Sequence, residues 1–155
     1  MKLKALLTFS LVLYSIFAVS QESSKIRQNQ FNIEEGLALK GFDPVSYFGK
    51  RPAKGKSSYK LRYQGITYYF KNQENLQRFK RNPKKYEPAY GGWCAYAMGA
   101  NGEKVEVNPE TFKIINDRLY LFYNKFFNNT LDSWNKNEDQ LMRQANQHWK
   151  NHLSP

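Results

Sequence analysis

The chain is organised around one stretch, Lys85-Tyr86-Glu87-Pro88-Ala89-Tyr90-Gly91-Gly92-Trp93-Cys94-Ala95-Tyr96-Ala97-Met98-Gly99. This stretch holds the only cysteine of the sequence and two adjacent glycines among aromatic residues. Pro88 restricts the backbone before it, and Gly91 and Gly92 permit positive φ or the close approach of a neighbouring segment. The pattern predicts a tight turn that leads into a packed helix, with Trp93, Cys94, Ala97 and Met98 on one face.

Cys94 is the first candidate for a chemically special residue. With Met98 four residues later it could offer a thiolate and a thioether to Cu(I), because both ligands are soft. The alternative is that Cys94 and Met98 fill the core as apolar side chains. A single cysteine cannot form a disulfide within the chain.

The first twenty residues have the pattern of a secretory signal peptide. Residues 1–4 are short and basic, residues 5–19 are apolar without a charge, and small residues precede Gln21. We expect cleavage before Gln21 and export to the periplasm or the medium, with no transmembrane segment in the mature chain. Residues 21–35 are polar and predict a flexible leader, and residues 36–153 predict the folded domain.

The chain is basic. Without Lys2 and Lys4 it has 22 basic residues against 13 acidic ones, a net charge of +9. No nucleic-acid-binding fingerprint is present, so nucleic acid is not an expected partner. A basic aromatic surface could instead contact an envelope component, such as anionic lipid or a cell-wall polymer, or a partner protein.

Local patterns predict a small α+β domain with two β-hairpins, short helices and a C-terminal helix. Five segments carry the signals: a hairpin over 59–70 that turns at Gln64-Gly65, a helix over 73–81 capped by Asn72, a short strand over 104–107, a hairpin over 111–123 that turns at Asn116-Asp117, and a helix from Glu138 to about Asn151 capped by Asn137. Asp43-Pro44 predicts the start of a short helical turn.

Several motifs together resemble the YHS domain family, over about residues 36–150. They are Gly41–Phe48, Tyr63–Phe70, the spaced Phe79, Pro83 and Tyr86, Tyr90–Tyr96, Asn108-Pro109, Leu119–Leu121 and Trp149, of which Tyr90–Tyr96 is typical of the exported, stand-alone branch. The resemblance implies a compact α+β module associated with metal handling, including segments attached to copper-transporting pumps.

The chain differs from the metal-associated branch at the family's cysteine positions. The resemblance places cysteines where this chain has Ser46, Lys71 and Asn75. Serine and a neutral amide are poor ligands for a soft metal, and lysine is cationic at neutral pH. A copper or zinc ion would therefore need other residues.

Two further sets of residues are candidates for a site. His148 and His152 have the i, i+4 spacing at which two imidazoles on one helix can share a metal, although cationic histidines near a helix C-terminus also interact favourably with the dipole. Tyr47, Tyr90, Trp93 and Tyr96 could line a ligand pocket, or they could simply be core.

No arrangement typical of an enzyme is present: there is no Ser-His-Asp pattern, phosphate-binding glycine loop or HExxH motif. Catalysis by Cys94 stays open, and we expect a non-enzymatic protein. The leading hypothesis is an exported YHS-like module that binds a small ligand or a metal ion, with a role in copper homeostasis. The alternative is a structural or interaction protein that contacts an envelope component or partner protein.

Overall fold

The computed structural model describes residues 21–154, so the signal peptide predicted over residues 1–20 lies outside the described part. Its helices are α1 (residues 21–30), α2 (Gln73–Arg81), α3 (Pro83–Tyr86), α4 (Ala95–Ala100), α5 (Thr130–Lys136) and α6 (Glu138–Leu153). Its strands are β1 (Ile33–Glu34), β2 (Leu37–Ala38), β3 (Lys56–Tyr63), β4 (Ile66–Phe70), β5 (Asn108–Ile115), β6 (Arg118–Phe122), β7 (Asn124–Lys125) and β8 (Asn128–Asn129). The mixture of two main hairpins and short helices confirms the predicted α+β class.

The first sheet has the strand order β1-β2-β4-β3 and contains the first predicted hairpin. β3 and β4 are antiparallel, and Tyr63 pairs with Ile66 across the turn at Gln64-Gly65. Along β4, buried Ile66, Tyr68 and Phe70 alternate with half-buried residues. This period of two arises because one face of the strand packs on the core.

Helix α2 begins and ends at the predicted residues. The side chain of Asn72 accepts a hydrogen bond from the backbone N–H of Asn75 at 2.8 Å, which satisfies a donor of the first turn. Pro83 stops α2 and is the first residue of α3. The inward Phe79 packs on the sheet, with its ring centroid 4.9 Å from that of Tyr68.

The second sheet is the second predicted hairpin, β5–β6. Its turn is at Asn116-Asp117, where both residues have positive φ. Residues 119–122 are all buried, because β6 lies inside the domain rather than at its surface. The ring of Phe122 contacts Trp134 of α5 at a centroid distance of 5.6 Å.

Residues 21–35 differ from the predicted flexible leader, because they form α1 and β1 and dock on the domain. Arg27 Nη2 binds Glu87 Oε1 at 2.5 Å, and the indole N–H of Trp93 donates to the carbonyl of Gln30 at 2.6 Å. Phe31 is buried. The segment docks mainly through polar contacts to distant residues, so it lacks the apolar periodicity that would have predicted it.

Two predictions around Cys94 are wrong in detail. Helix α4 begins at Ala95, so Cys94 is its N-cap residue and Trp93 precedes the helix. Residues 104–107 form no strand; the carbonyl of Val105 accepts the backbone N–H of Cys94 at 2.9 Å. Cys94 also bridges to Leu121 of β6. Because these contacts to distant residues hold the backbone of Cys94, it stays outside the helix.

Helix α6 is the C-terminal helix, and it extends two residues beyond the predicted end. Asn137 is its N-cap residue as predicted, although its side chain accepts no capping bond. The helix packs closely on α4 at Gly99, where a Cβ atom would lie 2.6 Å from the carbonyl oxygen of Leu141. Only glycine permits this approach.

Candidate functional site

Cys94 is fully buried, and hydrogen bonds surround its sulfur. The backbone N–H of Tyr123 donates to Sγ at 3.3 Å, and Thr130 Oγ1 lies 3.3 Å from Sγ. The single hydroxyl proton of Thr130 goes to the carbonyl of Tyr123 at 2.9 Å, so the thiol must donate to Thr130. These bonds suit a protonated thiol, whereas a soft metal binds the thiolate.

Met98, His148 and His152 lie where α4 meets α6. Nδ1 of His148 donates to the carbonyl of Met98 at 2.7 Å, and Nε2 of His152 donates to the carbonyl of Gly102 at 2.8 Å. The two histidines thus contact backbone carbonyls, His148 that of Met98 and His152 that of Gly102, rather than the buried sulfur of Met98. Among residues 21–154, no three His, Cys, Asp or Glu side chains are grouped so that they could hold a metal ion. The metal set Cys94, Met98, His148 and His152 stays a prediction.

The predicted aromatic pocket residues do not share one open cavity. Tyr47 and Tyr90 are buried, and Trp93 and Tyr96 are half-buried. The hydroxyl of Tyr90 donates to Asn146 Oδ1 at 3.1 Å. None of the four lines the open cleft between α1, α6 and the β5–β6 turn. Their common role in the structure is packing.

Asp43 is a buried carboxylate to which the three replaced cysteine positions converge. Its Oδ1 accepts the backbone N–H of Val45 at 2.8 Å, and its Oδ2 accepts the backbone N–H of Lys71 at 2.8 Å and the side-chain amide of Asn75 at 2.6 Å. The hydroxyl of Ser46 donates to the carbonyl of Asp43 at 2.6 Å. The sequence predicted only a helix start at Asp43; its part in joining three segments was missed, because its partners are up to 32 residues away.

A shallow hollow of about 250 Å³ lies next to the partners of the Asp43 carboxylate and includes Ser46, Lys71 and Asn75 in its wall. The wall also carries Arg51 and Arg78, and no acidic side chain. Neither arginine nor the Lys71 ammonium makes an ion pair within the described residues. Because like charges repel, these positively charged side chains disfavour the binding of a metal cation at Ser46, Lys71 and Asn75.

An open cleft of about 540 Å³ lies between α1, α6, the turn after α3 and the β5–β6 turn. Its wall consists of Arg27, Phe31, Lys84, Glu87, Pro88, Gly91, Asn116, Asp117, Arg118, Trp149 and Leu153. The rings of Phe31 and Trp149 meet edge to face at 5.7 Å. Gly91, at φ 61°, is required beneath them, because a Cβ atom there would lie 2.8 Å from Trp149.

A half-buried ion pair forms one wall of the cleft. Glu87 Oε1 accepts hydrogen bonds from Arg27 Nη2 at 2.5 Å and from the hydroxyl of Tyr68 at 2.6 Å. Burial raises the pKa of Tyr68 well above its ordinary value, and the neighbouring Glu87 raises it further. The Tyr68 hydroxyl therefore stays a hydrogen-bond donor to the carboxylate at neutral pH.

The rim of the cleft has an excess of positive charge. Asp117 is paired with Lys85 at 3.2 Å, and Glu87 is paired with Arg27. Lys84 and Arg118 line the cleft without any acidic partner among the described residues. The sequence did not predict this cleft, although Glu87 and Gly91 lie in the central stretch, because its other walls come from both ends of the described chain.

These features define a small α+β domain with an open, cation-rimmed cleft and a sealed cysteine. Residues 45–90 match the family model of the YHS domain, which confirms the resemblance that the motifs predicted over this part of the chain. The match includes Ser46, Lys71, Asn75 and Glu87 and ends before Cys94. Comparison with curated proteins gave no match, and comparison with solved structures gave none either. Within residues 21–154, no helix has both the length and the apolar character needed to cross a membrane.

Proposed function

We propose that this protein is an exported, non-enzymatic YHS-domain module that binds a small amphipathic acid in the cleft. The observation that carries the proposal is the combination of an apolar floor with two unpaired cations at the rim. Ligand cavities of proteins typically measure about 300–1,000 Å³ and combine apolar walls with a few polar groups that orient the ligand. The cleft, at about 540 Å³, is of this kind.

The floor supplies the apolar contact. Phe31 and Trp149 are buried, and with Pro88 and Leu153 they offer ring faces and aliphatic carbon to a ligand. Because Arg27 is held by Glu87 and stacks 4.3 Å above the ring of Phe31, this wall is already ordered before any ligand binds. An ordered site loses less conformational entropy on binding.

The rim supplies the charge selection. Lys84 and Arg118 are free to bind a carboxylate, sulfonate or phosphate group, since neither has an acidic partner. Arg118 also lies 5.9 Å from the ring centroid of Tyr90, which limits its motion. The ligand class is therefore an apolar body with one acidic group.

The wall of the cleft supports binding rather than catalysis. It contains no histidine, cysteine or serine. Glu87 is the only carboxylate near the floor, and one of its oxygens already accepts two hydrogen bonds. The acidic groups of this wall, Glu87 and Asp117, are each engaged in an ion pair, which favours a role in ordering the cleft over proton transfer.

Binding of 2-naphthoate compared with its neutral analogue 2-naphthamide tests the proposal by titration calorimetry. We expect saturable binding of the acid and at least about 10-fold weaker binding of the amide, because only the acid can pair with Lys84 and Arg118. The double variant Lys84→Gln/Arg118→Gln should lose the preference for the acid.

The matched control is Lys80→Gln/Arg81→Gln, which removes two exposed cations of α2 outside the cleft. It should bind 2-naphthoate as the wild type does. Equal affinities for acid and amide, or equal losses in the two double variants, would contradict the proposal.

A copper or zinc function rests on the association of the YHS family with metal handling. The sealed, protonated Cys94 and the cationic hollow over Asp43 give it no support in the described residues. A copper and zinc challenge followed by elemental analysis tests it directly. Metal retained by the wild type and lost in Cys94→Ala would establish the metal function and require the surroundings of the sulfur to open.

The alternative function, an interaction protein for an envelope component or partner protein, is favoured by one observation. Phe126 and Phe127 are the large apolar side chains of the described residues that are exposed to solvent, at 89% and 111%. The two rings are neighbours and form one contiguous apolar patch, and contiguous exposed patches mark interaction sites where single exposed side chains do not.

A further inference from the structure

The β7–β8 hairpin ends in a turn that projects two phenylalanine rings. We name residues 125–128, Lys-Phe-Phe-Asn, the hairpin tip. Phe126 has φ 51° and Phe127 has φ 64°, so both lie in the left-handed region. Bulky residues rarely adopt this conformation, because their Cβ atom crowds the backbone.

Other turns of the same chain show what this backbone ordinarily requires. Glu35-Gly36, Gln64-Gly65 and Asn116-Asp117 also have two successive residues with positive φ. Each contains glycine, or the asparagine and aspartate that tolerate this region. The hairpin tip uses phenylalanine at both positions, whereas each of the other three β-hairpin turns contains residues that suit the turn. Outside the hairpins, Leu39 and Lys40 are a second bulky pair with positive φ, and both lie in a short 3-10 turn rather than at a projecting tip. Turn formation therefore does not explain the two rings.

We propose that the hairpin tip inserts its two phenylalanine rings into the interface of an anionic lipid bilayer. The inference names the partner of the interaction function and rests on that alternative, whereas ligand binding in the cleft is independent of it. The tip is convex, and no other described residue covers the rings. A bilayer can enclose such a projection without a preformed groove.

The residues around the rings suit the headgroup layer of a bilayer. Lys125 precedes the rings and is exposed, so its ammonium can reach lipid phosphates. Polar amides follow at Asn128 and Asn129. The whole of residues 21–154 carries 22 basic and 13 acidic side chains, and this excess favours an anionic surface.

A second copy of the chain is the competing occupant. The rings of one copy could enter the apolar cleft of another, but the tip and the cleft are different surfaces. Such a head-to-tail contact does not close on itself unless the copies form a ring, so it would produce chains that grow with concentration. Contact with a lipid surface needs no second copy of the chain and therefore produces no such growth.

Vesicle flotation tests the inference with the exported protein, whose N-terminus is first read by mass spectrometry to establish that residues 1–20 have been removed. The vesicles contain phosphatidylcholine and phosphatidylglycerol in equal parts, or phosphatidylcholine alone. We expect the wild type to bind the anionic vesicles more tightly. The variant Phe126→Asn/Phe127→Gly should bind at least about 10-fold more weakly, because it removes both rings.

This variant should also unfold at the same or a higher temperature than the wild type, because Asn-Gly suits a turn with two positive φ values. The matched control, Gln64→Asn, creates Asn-Gly in another turn of the same backbone type and should bind vesicles as the wild type does.

Equal vesicle binding by wild type and tip variant would overturn the inference, as would no binding at all. Lipid-free self-association that the tip variant abolishes would assign the rings to a second copy instead. Binding of 2-naphthoate should be unchanged in the tip variant, so the two proposals can fail separately.

Discussion

Asp43 and Glu87 are two carboxylates of the same α+β domain with opposite surroundings. Asp43 is fully buried, and its oxygens accept two backbone N–H groups and one amide of Asn75. Glu87 is partly exposed in the wall of the cleft, where Arg27 and Tyr68 both bind its Oε1. Both are polar groups that burial would penalise without partners.

The difference separates a structural carboxylate from one that can take part in binding. The chain itself engages both oxygens of Asp43, so this residue joins segments and has little to offer a ligand. Glu87 keeps Oε2 without a hydrogen bond from any described residue, and it orders the arginine that covers the floor of the cleft. The accessible carboxylate and its unpaired neighbours, rather than the buried one, mark the candidate site.

The largest expected effect is on stability at Asp43. Asp43→Ala should lower the free energy of unfolding by about 4 kcal/mol, because one buried and two half-buried donors lose their acceptor at about 1–3 kcal/mol each. Glu87→Gln keeps an acceptor oxygen for Tyr68 and should cost about 1 kcal/mol. Urea denaturation of both variants measures the difference. Equal losses would remove the distinction between the two carboxylates.

A smaller effect is expected at alkaline pH, through one tyrosine beside each carboxylate. Burial raises the pKa of Tyr47 above 10.0, with smaller contributions from Glu110 and Asp43, and burial followed by Glu87 raises that of Tyr68. Above pH 10 the unfolded chain loses these protons while the folded protein keeps them, so stability that is complete below pH 10 falls as the pH rises. The loss should be about 1.4 kcal/mol per tyrosine per pH unit, or about 3 kcal/mol by pH 11.

Urea denaturation at pH 9, 10 and 11, together with the absorbance of tyrosinate, tests this pH dependence. A phenylalanine at either position should remove that tyrosine's share of the slope, about 1.4 kcal/mol per pH unit. Tyr90 and Tyr120, whose pKa burial also raises, keep contributing to the rest. If both tyrosines ionised near pH 10 in the folded protein, their burial would be wrong.

The smallest expected effects are the changes in the free energy of unfolding when Tyr68 or Tyr47 is replaced by phenylalanine. Tyr68→Phe should lower the free energy of unfolding by about 2 kcal/mol, because Glu87 loses a hydrogen bond to a charged acceptor. Tyr47→Phe should raise it by about 1 kcal/mol, because the buried Tyr47 hydroxyl has no hydrogen-bond partner among the described residues. Thermal unfolding of the two variants gives the sign. A loss of stability in Tyr47→Phe would indicate a partner that the structure does not show.

The local elements could be predicted because their signals lie within a few residues of each other. Asn72 caps α2 through Asn75, three residues later, and Gln64-Gly65 supplies the turn between two strands that alternate. The same reasoning placed the hairpin turn at Asn116-Asp117. Each of these signals depends on backbone preference and side-chain period alone.

The candidate site could be predicted only in part. The central stretch contributes Glu87, Pro88 and Gly91 to the cleft, although the sequence singled it out for Cys94. Its emphasis on Cys94 gave no cavity, because the partners that seal the sulfur, Tyr123 and Thr130, are 29 and 36 residues away. Arg27, which orders the cleft, lies in a segment whose composition predicted a flexible leader.

By itself, the sequence determined the α+β class, the two hairpins, the bounds of α2 and the resemblance to the YHS domain, because these depend on short-range patterns and motifs. Only the tertiary structure decided which polar groups are satisfied and which remain free. The pairing of Arg27 with Glu87 spans 60 residues, and that of Asp43 with Asn75 spans 32. A charge or a thiol acquires its role from neighbours that the folded chain brings to it, and local sequence does not specify those neighbours.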